Sequence, residues 1–199
     1  MIETLGLVAG SGWASGLNLY LVTLLLGLGG RMGWADVPTV LQRTDVLIVS
    51  GVLFVVEFGA DKIPYLDNVW DAIHTVVRPL GAAALGAVLA GESESIATAV
   101  GATVAGALAL SAHSAKATTR AAVNTSPEPF SNIFLSLFED GLVAGLIALA
   151  VLYPWAALVV AIALGVIGIW ITTRLYKAIR RVWNRWGQRI DGKPPPAPG

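Results

Sequence analysis

Long apolar runs separated by short polar turns constrain this chain more than any other feature. The stretch from Trp155 to Thr173 contains no charged residue, and similar runs occupy residues 2–30, 46–59, 80–91, 96–112 and 130–152. A helix needs about 20 residues to cross the hydrocarbon core of a bilayer. Only 13% of the residues are charged, about half the share in soluble domains. We predict an all-α, polytopic transmembrane helical bundle of about six segments over residues 1–173.

Small residues interrupt the first apolar run. The segment from Ala9 to Gly16 contains three glycines, each of which lowers helix stability by about 1 kcal/mol relative to alanine. In one interpretation this segment is a packing face, because small residues let membrane helices approach closely. In the other, the helix is broken or re-entrant here and turns Asn18 and Tyr20 toward a cavity.

Two polar stripes cross the apolar pattern, each on one face of a predicted helix. Their residues recur at spacings of three or four, which brings side chains to the same side of a helix. The first stripe, mostly acidic, contains Asp67, Asp71, His74 and Arg78, and the second, mostly basic, contains His113, Lys116, Arg120 and Asn124. These stripes are the best indication of function in the sequence.

Other ionisable residues accompany the stripes, and the full set is the predicted substrate- or ion-binding site. Glu57, Asp61 and Lys62 precede the first stripe, and Glu139 and Asp140 interrupt the run at 130–152. An Arg, Lys or Asp at the centre of a membrane helix costs about 2.5 to 3.5 kcal/mol. In one interpretation the stripes pair and lock the helices together. In the other they line a polar cavity that binds an ion or an anionic headgroup.

Composition and motifs exclude several function classes. The chain has no cysteine, which excludes disulfides and thiolate catalysis. Its net charge is zero, which is not typical of a nucleic-acid-binding protein. No P-loop, GxSxG or HExxH motif occurs. We therefore predict no catalytic residue, no metal site and no cofactor.

The C-terminal region differs from the rest. Residues 174–190 are predicted to form a basic amphipathic juxtamembrane helix, and 191–199 a disordered, proline-rich tail. We expect the basic face to contact anionic lipid headgroups through Arg174, Lys177, Arg181 and Arg185.

The distribution of basic residues predicts the orientation. The C-terminal cluster is the largest positive concentration, so we place it in the cytoplasm, in a multi-pass protein of the bacterial inner membrane. With six crossings the N-terminus would lie on the same side. Residues 50–68 and 105–124 resemble each other weakly, so a parallel internal repeat is one interpretation, and shared composition is the other.

Part of the sequence resembles the bacterial integral membrane proteins of the domain of unknown function 4126 family. The matching residues include Gly16-Leu17-Asn18 and the polar segment from His113 to Asn124. The most specific part is the spaced motif Glu57, Asp61-Lys62-Ile63-Pro64, Asp67, Trp70-Asp71, His74-Thr75 and Arg78-Pro79. The resemblance covers the chain to about Tyr153. It implies a small polytopic membrane protein and carries over no activity.

Three functions follow as hypotheses. The first is a transporter or channel-like protein for an ion, a proton or a small anionic solute, such as a lipid phosphate headgroup. In it, the residues that would bind cations or protons are Glu57, Asp61, Asp71 and His74. Those that would bind anions or act as counter-ions are Arg78, Lys116 and Arg120. The second is a non-catalytic scaffold or oligomeric subunit that associates through Gly/Ala faces. The third is a membrane-embedded enzyme acting on lipid, for which the sequence offers no nucleophile.

Overall fold

The computed structural model describes residues 2–63, 65–91, 96–124 and 129–190, without the side chains of 129, 179 and 182–190. All regular secondary structure in the described residues is helical, which confirms the predicted fold class. A 3₁₀ turn, Thr39–Gln42, lies between the first two helices. The helices are α1 (Ile2–Arg31), α2 (Thr44–Ala60), α3 (Leu66–Ala90), α4 (Ile96–Val123), α5 (Pro129–Leu152) and α6 (Pro154–Ile190).

Helix α1 is broken at Asn18, whose φ of −153° and ψ of 95° are not helical. The Asn18 side chain accepts a hydrogen bond from the Leu21 backbone N–H at 2.9 Å, so it caps a second helical piece, 19–31. A straight helix of 30 residues would be about 45 Å long. Instead, Glu3 and Trp34, from the two ends, line the same cavity of about 680 Å³. Helix α1 is therefore a re-entrant hairpin whose turn lies inside the bundle.

Helices α2 to α6 pass between the two faces of the bundle. Glu3, Trp34 and Pro154 mark the N-terminal face, where both ends of α1 lie. Asp67, Asn124 and Asn132 mark the opposite face, where they are hydrogen-bonded together.

Five helices are long and apolar enough to cross a membrane: α1, α3, α4, α5 and residues 154–178 of α6. Helix α1 satisfies the length criterion but folds back. The expectation that the N- and C-terminal segments lie on the same side is therefore wrong, because α1 returns to the face from which it started.

Close contacts between small residues hold the N-terminal half of the bundle together. A Cβ added to Gly12 would lie 2.5 Å from the Cα of Ala105, and one on Gly86 would overlap the backbone of Gly101. Side chains larger than hydrogen would separate α1, α3 and α4 at these points. The packing interpretation of 9–16 and the re-entrant interpretation are thus compatible, since small residues line the first piece of α1 and Asn18 ends it.

Helix α3 buries its charges and exposes its apolar residues. Asp67, Asp71, His74 and Arg78 are buried, whereas Val69, Ile73, Val76 and Leu80 are more than half exposed. Soluble proteins have the reverse pattern. The outward apolar surface, continued on α5 and α6 by Phe134, Phe138, Ile162 and Val166, indicates contact with the lipid bilayer.

Candidate functional site

The two polar stripes face each other across the α3–α4 contact and pair directly. All eight stripe residues are buried. Asn124, which directly follows α4, is 11 positions from His113, which corresponds to about 17 Å along the helix axis. The network therefore extends from the opposite face to roughly the middle of the bundle. We call this set of stripe residues, together with Glu57, Asp61 and Glu139, the buried charge network.

Asparagines form the outermost layer of the network. Asn124 donates to both carboxylate oxygens of Asp67 at 3.0 Å. Asn132 on α5 in turn donates to the side-chain oxygen of Asn124 at 2.9 Å. This layer joins α3, the end of α4 and α5 through neutral donors and one charge.

Arg120 forms the next layer and joins four segments. Its Nη2 donates to Glu139 Oε2 at 2.6 Å, and its Nη1 donates to the backbone oxygen of Asp61. The same guanidinium lies 3.6 Å from carboxylate oxygens of Asp61 and Asp67. Arg120 is fully buried, so nearly all compensation for its desolvation comes from these acceptors.

Lys116 lies one turn deeper and contacts oxygens of four residues. Its Nζ is 2.5 Å from Asp61 Oδ2 and 3.1 Å from the backbone oxygen of Leu17. Glu139 Oε2 and Glu57 Oε1 lie at 3.4 and 3.8 Å. The Leu17 oxygen is available because the break at Asn18 leaves carbonyls at the end of the first piece of α1 without helical partners.

Arg78 and His113 end the network near the middle of the bundle. Arg78 donates to Glu57 Oε1 at 2.8 Å and to Asp71 Oδ1 at 3.0 Å. It also donates to His113 Nδ1 at 2.8 Å. Thr75 uses its hydroxyl hydrogen on the Asp71 backbone oxygen, so His113 Nε2 must donate to Thr75. His113 is therefore neutral in this arrangement, with its proton on Nε2.

One member of the network, His74, and the two predicted site residues outside it, Lys62 and Asp140, lie at its edge. His74 is hydrogen-bonded by Tyr20 at 3.0 Å and contacts the backbone oxygen of Trp70 at 2.8 Å. Half-buried Asp140 accepts from Asn18 at 3.2 Å. The Nζ of half-buried Lys62 lies over the Phe58 ring and near Ser136. The structure thus brings all thirteen predicted residues into one region.

Acidic groups exceed basic ones in the network. The buried charged residues in the described part of the chain are five carboxylates (Glu57, Asp61, Asp67, Asp71, Glu139) and three cations (Arg78, Lys116, Arg120). With all of them ionised, the formal charge is −2. Glu57 Oε2, Asp61 Oδ1 and Asp71 Oδ2 are buried without a hydrogen-bond partner. Buried carboxylate oxygens without partners are costly, so the network has capacity for additional positive charge.

The residue pattern alone did not assign several groups to the site. The carbonyls of Gly16 and Leu17 accept hydrogen bonds from Arg78 and Lys116. Such backbone acceptors cannot be predicted from residue type, because every residue has a carbonyl group. Asn132 and Ser136 could have been assigned, because they share a helical face with Glu139. No group of three or more His, Asp or Glu side chains in the described residues is arranged to hold a metal ion.

The family model for the domain of unknown function 4126 matches residues 5–174. The chain belongs to this family. The match extends into α6 as far as Arg174, which is beyond the part of the chain where the sequence resemblance was seen. The basic residues after Arg174 lie outside the matched range. No curated protein and no solved structure matches the chain.

The basic region is described only in part. Residues 174–190 continue α6 without interruption, and Arg174 stacks on Trp170 at 5.5 Å. Arg174, Lys177 and Arg181 are exposed, whereas the side chain of Arg185 and the tail 191–199 lie outside the described residues, as does Pro64. The predictions of headgroup contact, a homo-oligomer, an internal repeat and an inner-membrane location remain predictions.

Proposed function

We propose that this protein is a membrane transporter for protons or small monovalent cations, with the buried charge network as its binding site. The observation that carries the proposal is the formal charge of −2 in a buried cluster with three unpartnered carboxylate oxygens. Ionisable groups inside membrane proteins mark ion or proton pathways by default. The negative balance favours a cation over the anionic solute and the lipid phosphate that the sequence left open.

The shape of α1 supports the same function. Broken helices in transporters direct half-helix carbonyl ends toward cations at mid-membrane. Here the carbonyls of Gly16 and Leu17 lie at the end of such a piece and face Arg78 and Lys116. The network also reaches only one face, and small-residue contacts close the other half, which is the asymmetry expected of one closed state in an alternating mechanism.

Flux in sealed vesicles tests the proposal. The purified protein is reconstituted into liposomes, and proton and alkali-cation flux are followed with internal dyes. We expect flux in the wild type and at least a tenfold loss in Asp61→Asn and Asp71→Asn. The matched control is Asp45→Asn, because Asp45 is an exposed carboxylate paired only with Arg43. Flux that survives both network changes at the wild-type rate would contradict the assignment.

A scaffold is the second candidate, and the direct pairing of the network's cations with carboxylates favours it. Arg78, Lys116 and Arg120 each contact carboxylates, as expected for helix locking. Gly141 and Gly145 have no atom within 4 Å of an added Cβ and form an open face for another chain. Folded, reconstituted wild-type protein without proton, Na⁺ or K⁺ flux would favour this function over transport.

A further inference from the structure

Asp140 is a carboxylate beside the buried charge network that no cation pairs with. Each of the five network carboxylates has an arginine or lysine nitrogen at 3.6 Å or less. Among the described residues, none forms an ion pair with Asp140. Its Oδ1 accepts a hydrogen bond from the neutral amide of Asn18 at 3.2 Å, and its Oδ2 is buried without a partner. This arrangement compensates an ionised carboxylate poorly and suits a neutral acid with its proton on Oδ2.

The position of Asp140 along α5 adds to this effect. Asn132, which marks the opposite face, lies eight residues earlier, about 12 Å along the helix axis. An ionised aspartate at such a depth is costly unless it is paired or reaches water. Asn132, Ser136 and Asp140 follow one another at a spacing of four and share one side of α5. This polar side connects half-buried Asp140 with the opposite face.

The charged groups around Asp140 are engaged with other residues, with one exception. They are Asp61 and Lys62, which follow α2, Lys116 on α4, and the neighbouring Glu139 on α5. Lys116 and Asp61 pair with each other at 2.5 Å. Glu139 is bound by Arg120. Residues 154–173 of α6, which packs on α5, contain no charged residue. The exception is Lys62.

Lys62 is within reach of Asp140 but is bound one turn away. Its Nζ donates to the Phe58 backbone oxygen at 2.9 Å and to Ser136 Oγ at 3.2 Å. Ser136 and Asp140 are separated by about 6 Å along the axis of α5. The four-carbon side chain of lysine is flexible, so its ammonium group can bind Ser136 or the Asp140 carboxylate from the same backbone position.

Asn18 links Asp140 to the rest of the network. Its amide donates to Asp140, and its side-chain oxygen caps the second piece of α1 at Leu21. The carbonyl of the preceding residue, Leu17, accepts from Lys116. A change of charge at Asp140 therefore acts on the turn of α1 and, through that turn, on the network.

We propose that Asp140 is the residue that takes up and releases the transported proton, as a neutral acid in this structure and as a carboxylate paired with Lys62 after release. On release, the O–H bond of Asp140 breaks and the proton passes to water along the polar side of α5. The Lys62 ammonium group moves from Ser136 to the new carboxylate, which balances its charge. This inference rests on the proposed transport function and names the proton as its ion.

Infrared spectroscopy tests the proposal without a transport measurement, because the C=O stretch of a protonated carboxyl group is resolved from the bands of a carboxylate. At neutral pH we expect purified Asp140→Asn to lose one component of the protonated-carboxyl band of the wild type. The matched control Asp45→Asn removes an exposed carboxylate paired with Arg43 and should keep the whole band. A band that Asp140→Asn leaves unchanged overturns the proposal.

A second variant guards against failure to fold. Asp140→Glu keeps a carboxyl group and should shift the frequency of the same component, and an unshifted band would again overturn the proposal. The component must also disappear as the pH is raised, since a group that never ionises cannot release a proton. A component that persists at every pH at which the protein stays folded contradicts that release.

A double-mutant cycle tests the role of Lys62. The Tm values of Asp140→Asn, Lys62→Met and the double variant are measured below and above the pH at which the component disappears. We expect coupling between the two positions only above that pH, because only the carboxylate pairs with the ammonium group. The control Lys177→Met, at an exposed lysine, should show no coupling with Asp140→Asn. Absence of coupling at high pH would overturn the pairing with Lys62.

Proton flux in liposomes separates this inference from the proposed function. A band component that depends on Asp140, in a wild type that carries no proton flux, would retain the proton site and reject transport. Proton flux in a wild type whose band is unchanged by Asp140→Asn would do the reverse.

Discussion

The two halves of the bundle are held together by different kinds of helix contact. From the middle to the face marked by Asp67 and Asn124, α3 and α4 meet through buried polar and charged groups, as between Arg120 and Asp67 and between Arg78 and His113. From the middle to the N-terminal face, the same helices meet through glycine and alanine, as at Gly86 and Gly101. The first kind of contact requires charged side chains at specific positions. The second requires only side chains that are small enough for the helices to approach closely.

This contrast indicates where a ligand can act. Glycine contacts are already close-packed, and among the described residues that half contains no buried charged side chain. The charged half contains three buried carboxylate oxygens without a hydrogen-bond partner, and these belong to the network that we propose as the cation- or proton-binding site.

The largest expected effect is on the charged half. Arg78→Met leaves Asp71 buried without its cation and removes the closer of two cations from Glu57, which costs about 3 to 5 kcal/mol because one partner of a buried pair has been removed. We expect a large drop in the Tm of the purified protein or a failure to fold. The control Arg43→Met removes an arginine from an exposed pair with Asp45 and should leave the Tm unchanged. Equal effects at the two sites would break the comparison.

A smaller effect is expected in the other half. Gly12→Ala adds a methyl group 2.5 Å from the Cα of Ala105, and overpacking of this kind costs about 1 to 3 kcal/mol. The matched change is Gly145→Ala, where the added Cβ meets no atom within 4 Å. Tm values for both variants test the prediction, and a Gly12 variant as stable as the Gly145 variant would show that close approach is not required there.

The smallest effect is expected at the junction of the two halves. Asn18→Ala removes the cap of the second piece of α1 and the donor to Asp140, a loss of about 1 kcal/mol. Asn18→Ser keeps a capping oxygen and should recover most of the stability. If alanine and serine behave alike, the cap at Asn18 does not stabilise the turn.

Helix types and the polar faces could be predicted from the sequence. Apolar runs of sufficient length specify membrane helices, and the spacing of Asp67, Asp71 and Arg78 places them on one side of α3 in any helix. Their burial follows from the same physics, because charges cannot face lipid at low cost. This is why all thirteen proposed site residues meet in the structure.

The direction taken by α1 could not be predicted in the same way. The length and apolar character of Ile2–Arg31 fit a single helix that crosses the membrane and fit a helical hairpin equally well. Tertiary contacts decide between the two, because Arg78 and Lys116 donate hydrogen bonds to the carbonyls that the turn at Asn18 leaves without helical partners. The partners are far away in sequence, and their identity depends on how α3 and α4 pair.

The turn at Asn18 also has a consequence for the order in which the protein is assembled. The Leu17 carbonyl bonds to a lysine 99 positions later in the chain. At a synthesis rate of about 5 to 20 residues per second, the ribosome adds that lysine about 5 to 20 seconds after Leu17. Until then the freed carbonyl lacks this donor. Helix α1 therefore completes its contacts only after the part of the chain that contains Lys116 has been synthesised.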